Sequence, residues 1–429
     1  MNDAARLRNN TLAVHPNAQV AERGHKWIRH ILPSGKDFIL DVGQGQMHYQ
    51  DDQGYSREID DTLVVDGTEG YSVKTLQTPY LLRATDAGKR RLYPNRYDLS
   101  RYVEFSNLPA LGVPQKGENF LQWNTTHAAA RIEAQSGAIK FIFTLKDASA
   151  PKSISFNVTL TGLTRQGNLL LAGGVPVIKM RKPIAFDANE TRRECTFTLT
   201  GNKVTISLDT SGLVFPIEID PTLDLDMADI RFDAYCTYHD SGVQTVYNDT
   251  TTLRVGCYDA NVYGYCSLVQ FSQVPLPRGS AVNHAALGVR SHAALTGANC
   301  KTRFTGSLGT SGAWMGVDEW NTWFPTLLVT PHVHWANVPS FAANTWYEGH
   351  SATPTPDISA VVQAIAEFWQ FTGQVGGNSM GVYWEDYEEL SDNTAAGNYR
   401  RFQTMDYNAA YAPHLHIDYT PHVAVGQIF

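Results

Sequence analysis

The chain has 429 residues, 43% hydrophobic and 18% charged, with 34 Gly and 20 Pro, which is more than one core usually supports and describes a loop-rich globular protein rather than a disordered or fibrous one. The formal net charge of −8 argues against sequence-independent binding to nucleic acid or to an anionic membrane. The charge is uneven, with 26 Lys+Arg against 24 Asp+Glu up to Leu225 and 8 against 18 from Asp226 onward, so a domain boundary is expected near residue 225.

Residues 1–36 are polar and irregular and read as an N-terminal arm. Met1 to Val20 lacks the apolar core of a secretory signal, so Sec export is not expected. Ala18 to Leu32 is predicted as a short helix stopped by Pro33-Ser34-Gly35. Such arms fray unless held, so burial of this one against a partner is the expectation. Lys89-Arg90-Arg91, with Arg83, Arg96 and Arg101 nearby, is the one basic concentration, suited to nucleic acid or an acidic neighbour subunit, with a solvated loop as the default.

Period-2 alternation then dominates. Ile154, Phe156, Val158 and Leu160 alternate with polar residues as in a half-buried strand, and Phe197/Leu199, Gly201-Asn202 and Val204/Ile206/Leu208 read as a tight hairpin. Further strands are predicted at Ala138–Leu145, Leu213–Ile219, Leu253–Val255, Ser267–Phe271 and His414–Tyr419. The proline after Asp220 suits a domain junction. Thr355-Pro356-Asp357 opens a helix whose stripe Ile358, Val361, Val362, Ile365, Phe368 and Trp369 is expected in the core up to about Gly373. The fold class expected is all-β: two antiparallel β-sandwich, jelly-roll-like domains over 37–222 and 223–429, with the arm over 1–36 and one short helix in the C-terminal domain.

No GxSxG elbow, P-loop, HExxH or helix-opening GxGxxG occurs, so no enzyme and no cofactor is expected. His332 and His334 are two apart, as are His414 and His416, so each pair shares a strand face, with Asp418 on the face of the second pair. Together the pairs make a candidate four-nitrogen metal site; the alternative is the polar faces of two strands, with Leu415, Ile417 and Tyr419 inward. The acidic run Glu385, Asp386, Glu388, Glu389 and Asp392 lacks the glycine and alternation of a calcium loop. Trp314, Trp320 and Trp323 lie in a Gly-rich stretch and are candidate sugar-stacking residues. Five cysteines with no CxxC spacing are expected as buried free thiols.

From Ile230 onward the order of features resembles the DNRLRE family of β-sandwich domains, also classed among carbohydrate-binding modules. The pieces are Thr252-Leu253-Arg254-Val255-Gly256, Tyr265 to Phe271, Leu276 to Leu287, His334 to Pro339, the helix after Asp357, Gly381 to Trp384 and Ala412 to Ile417. Met47 to Tyr55, Glu58 to Leu63 and Phe215 to Thr222 resemble the region that precedes such domains in phage and bacterial wall-associated proteins. The resemblance implies a non-enzymatic structural protein of a virion, either capsid decoration or tail-associated, whose partners are other virion proteins and copies of itself, with neither membrane nor nucleic acid among them. The alternative it implies is an adhesin that grips a host-surface glycan through the C-terminal domain.

Overall fold

The computed structural model describes residues 3–421 apart from 24–25, 44–46, 52, 54, 69–72, 85–89, 109–113, 136, 190, 225–232, 240–241, 249–251, 258–263, 272–273, 278, 296–299, 308–327, 337, 349–354, 370–379, 387–397 and 405–410. The chain is all-β, as the alternation predicts, and divides into two compact units. One comprises residues 1–48 together with 229–429, the other residues 49–228. The charge step near residue 225 therefore falls at the end of the second unit, but residues 1–48 do not stand apart as an arm or open an N-terminal domain at residue 37.

The predicted helix over Ala18–Leu32 is instead a β-hairpin. Gln19–Arg23 pairs antiparallel with Trp27–Ile31, and the latter with Phe38–Gly43. Val20, Ile28 and Ile31 are β-branched and favour extended backbone, while Pro33-Ser34-Gly35 turns the chain between two strands, Gly35 taking φ 67°. The helix of this region lies earlier, at Asp3–Val14.

In the first unit a six-stranded sheet runs in the order Gln19–Arg23, Trp27–Ile31, Phe38–Gly43, His414–Thr420, Ala281–Arg290, Trp346–Tyr347. A second sheet of eight strands contains Gly264–Phe271, Met380–Asp386, Thr302–Ser307 and Leu328–Trp335. Leu40, Val42, Leu287, Val289, Leu415 and Ile417 from the first sheet share one apolar core with Val269, Phe271, Phe304, Val382 and Trp384 from the second. The helix Ser359–Trp369 adds Val361, Val362 and Ile365, and Ile358 just before it, all fully buried as the stripe predicts. It begins later than expected, capped by the Asp357 carboxylate, which accepts from Ser359 N at 2.9 Å. Phe368 departs from the predicted stripe and is 59% exposed.

Cys236 and Cys266 stand opposite each other where Asp233–His239 pairs with Gly264–Phe271; their Cα atoms are 5.5 Å apart and they form a disulfide. This corrects the expectation of five free thiols. The pairing comes from strand register across 30 residues, which spacing alone does not reveal. Cys195, Cys257 and Cys300 lie outside this disulfide and are buried.

The second unit is a sandwich. Its eight-stranded sheet runs Thr196–Thr200, Lys203–Ser207, Ser153–Thr161, Tyr102–Ser106, Arg90–Tyr93, Leu81–Ala84, Val73–Gln77, Asp60–Val65. The facing sheet is built around Ala128–Gln135 and Ala138–Leu145. Phe105 and Phe156 of the first sheet meet Phe141 of the second, Phe105 and Phe141 at 4.7 Å between ring centres. The hairpin read at Gly201-Asn202 is present, with Thr200 opposite Lys203 and Gly201 at φ 59°.

Asp61, on the Asp60–Val65 strand, gives this unit a pH dependence. Burial first, and then the neighbouring Asp60 carboxylate, push it up to about 7 from 3.8. A raised acid favours the neutral form in the fold. The destabilisation is therefore absent below about pH 4, grows as pH rises and is complete above about pH 7. Asp61→Asn is expected to remove it, stabilising the unit at pH 8 by on the order of 3 kcal/mol and flattening its denaturant midpoint between pH 4 and 8. An unchanged pH slope in urea unfolding of the variant would refute this assignment.

Candidate functional site

The site begins with strand register. In the antiparallel pair of Ala281–Arg290 with His414–Thr420, His284 stands opposite Asp418 and Ala286 opposite His416. On the other side of His414–Thr420, Asp41 stands opposite His416. Opposed residues, and residues two apart on a strand, share a face. His284, Asp41, His416 and Asp418 therefore line one face of the six-stranded sheet, while Leu415, Ile417 and Tyr419 point to the core. A shift of register between Val282 and His284 marks a bulge beside the cluster.

The N-terminal helix contacts this part of the sheet and brings Thr11 to Asp41. The Thr11 hydroxyl donates to Asp41 Oδ2 at 2.8 Å, and both residues are almost fully buried. The opposite oxygen, Asp41 Oδ1, lies 2.7 Å from His416 Nδ1. The other ring nitrogen, Nε2, lies 2.9 Å from Asp418 Oδ1. His284 Nδ1 is 3.9 Å from Asp418 Oδ2, and the His284 and His416 rings meet edge to face at 6.2 Å. His30, fully buried, places Nδ1 3.8 Å from Asp41 Oδ2.

Burial alone lowers the basicity of His416, but the Asp41 carboxylate and then Asp418 override it and raise the imidazole to about 10. Left to itself, His416 is thus held between two carboxylates, its Nδ1 hydrogen-bonded to Asp41 and its Nε2 ion-paired with Asp418. Among the described residues, His284, His416 and Asp418 are the one group of three or more His, Cys or acidic side chains whose ligating atoms converge, all within 4.8 Å.

The expected four-histidine site is not formed, because its two halves lie in different sheets. His332 and His334 sit on Leu328–Trp335 in the eight-stranded sheet, both exposed, with ring centres 5.1 Å apart. They are the outward face of a strand whose Val333 and Trp335 pack against the core. On the His414–Thr420 strand the polar face is buried as well. His414 is almost fully buried but serves packing: it lies edge-on to Trp346 at 5.4 Å, with Nε2 3.8 Å from Glu348. Its ring fills the space over Gly288, where any Cβ would overlap it. Glu348 also accepts from the Asn10 amide of the N-terminal helix.

The basic concentration is consumed internally. Arg83 Nε lies 2.8 Å from Asp66, Arg91 Nε donates to Glu104 at 2.5 Å, and Arg96 donates to the backbone of Thr78 and Leu76. Arg90 is buried over the Trp123 ring. Lys89 lies outside the described residues, as do Trp314, Trp320, Trp323, Glu388, Glu389 and Asp392. Glu385 pairs with Arg303 across the sheet.

Asp41, His30, Thr11 and His284 escaped the sequence reading. A signal was present for two of them: Asp41 interrupts the apolar run Phe38 to Val42, and His30 lies between Ile28 and Ile31. A lone ionisable residue within a buried strand needs a partner.

No family model and no curated protein matches the chain. Among solved structures it is similar to a mutant form of glycoside hydrolase family 81 from Clostridium thermocellum, at 11% identity and a TM-score of 0.19, over 62% of this chain and 38% of that one. The chain spans well under half the length of that protein, and a likeness this weak carries no argument about fold or chemistry.

Proposed function

We propose that the protein is a non-enzymatic structural subunit of a phage-like particle, in its capsid decoration or its tail, which docks neighbouring subunits by strand addition at open sheet edges. The observation that carries this reading is the Thr196–Thr200 strand. Among the described residues it ends the eight-stranded sheet of the second unit, paired on one side only, with Lys203–Ser207. Its residues Thr-Phe-Thr-Leu-Thr hold no lysine, proline or bulge, the devices that usually protect an edge from pairing with another chain. Thr196, Thr198 and Thr200 face outward, and Phe197 and Leu199 pack on the core, which anchors the strand in the extended form that strand addition uses. The sequence resemblance to regions of phage proteins points the same way. Docking through the N-terminal arm is not part of the proposal, because the strands Gln19–Arg23, Trp27–Ile31 and Phe38–Gly43 belong to the protein's own sheet.

Leu199→Pro removes a backbone donor that points away from Lys203–Ser207, on the side of an edge strand that tolerates proline. Incorporation into purified particles, read by mass spectrometry, is expected to fall at least about tenfold while the melting temperature moves by only a few degrees. Wild-type incorporation by the variant would overturn edge docking. Absence of the native chain from particles, or release of reducing ends from polysaccharide by it, would overturn the reading as a whole.

A further inference from the structure

We propose that His284, His416 and Asp418 form a binding site for a first-row divalent transition-metal ion such as zinc, with Asp41 as the positioning residue behind His416. This inference is independent of the particle reading.

The three donors come from two adjacent strands and one sheet face, so backbone pairing, rather than loop conformation, sets their spacing. One ligating atom from each of His284, His416 and Asp418 lies within 4.8 Å of the other two. Metal–nitrogen bonds of about 2.0–2.1 Å need tetrahedral edges of about 3.3 Å. The 2.9 Å between His416 Nε2 and Asp418 is already at that scale. The 3.9 Å from His284 Nδ1 to Asp418 is longer, and metal binding would draw the partly exposed His284 side chain toward the carboxylate. Two imidazoles and one carboxylate suit zinc, cobalt, nickel or ferrous iron, whereas calcium and magnesium demand oxygen donors.

The surroundings repeat the arrangement that supports metal-bound histidine. Asp41 engages Nδ1 of His416 at 2.7 Å, which turns Nε2 toward the proposed ion, and Thr11 fixes Asp41 from its other oxygen. Asp41 and Asp418 together supply the charge that balances a dication. Three protein donors leave a position on the ion for solvent.

The experiment is zinc titration by calorimetry of the full chain in a His332→Ala/His334→Ala background, which removes the exposed pair as a competing site. Cobalt absorption provides a second readout of nitrogen ligation. One equivalent of zinc is expected at micromolar affinity or better. His284→Ala and Asp418→Asn should each abolish it, with circular dichroism and melting showing a retained fold. Asp41→Asn should weaken binding by about 10–100-fold at unchanged stoichiometry. If either of these two substitutions unfolds the chain, the other decides, since one removes a partly exposed ring and the other preserves shape. Zinc binding that survives both substitutions, or no binding at micromolar zinc, overturns the proposal and leaves His416 as an imidazolium held by two carboxylates.

Discussion

Removal of residues 1–48 is expected to abolish the cooperative fold of the first unit and leave the second unit intact. The deletion takes three of the six strands from one sheet, including Phe38–Gly43, which pairs with His414–Thr420 over six residue pairs. It also removes Trp27, Ile28, Ile39, Leu40 and Val42, all almost fully buried. At about 1.5–3 kcal/mol for each large apolar side chain withdrawn from water, the loss matches or exceeds the roughly 5–15 kcal/mol by which domains are stable. His416 would lose Asp41 as well, leaving a buried imidazolium half paired. Limited proteolysis of the truncated chain should yield a resistant fragment close to residues 49–228 and rapid digestion of 229–429. Two thermal transitions in the truncated chain, as in the full one, would contradict the assignment of 1–48 to the first unit. The same reasoning shows that an N-terminal deletion cannot report on docking alone, since it removes half a sheet.

Gly256→Ala carries the second large effect. Gly256 has φ +101°, a conformation that side chains other than glycine rarely adopt, and it lies in the strand Thr252–Cys257 between two partners, opposite Tyr265 and Tyr399. A Cβ there would stand 2.6 Å from the Asn398 backbone oxygen and 2.9 Å from Cys300 Sγ. Neither neighbour is the loose end of a flexible side chain. Strain of order 1–3 kcal/mol from the dihedral adds to about 1–3 kcal/mol from overpacking, so a loss of about 3–5 kcal/mol is expected. Chemical denaturation of the first unit measures it; a midpoint within error of wild type would show that the strand relaxes freely at this point.

Period-2 segments were legible because both the pattern and the pairing are local. Ala138–Leu145 and the hairpin around Gly201 were found with their boundaries nearly right. Where the pattern was short, its period was misread. Ala18 to Leu32 holds enough apolar residues to suggest a helical face, but its hairpin is decided by β-branched side chains and by the sheet that receives it. The same limit governed the site. That His416 and Asp418 share a face follows from spacing two, whereas Asp41 reaches His416 across 375 residues of chain and His284 across a strand register. Composition carries no trace of either approach. His332 and His334 had the same spacing as His414 and His416, yet one pair faces solvent and the other is buried; spacing gives the face, and only tertiary packing decides what covers it.

The strand Phe38–Gly43 leaves the ribosome long before its neighbour. At about 5–20 residues per second, the 375 residues between Asp41 and His416 separate the two by some 20–75 seconds. Through that interval the nascent chain carries a short apolar hairpin with an unfilled edge, while residues 49–228 have all their own contacts and can fold meanwhile. Completion of the first unit therefore awaits His414–Thr420, the last of the described strands. Until then the early hairpin is the segment most in need of a chaperone, because an uncovered apolar edge also invites pairing with the same segment of another nascent chain.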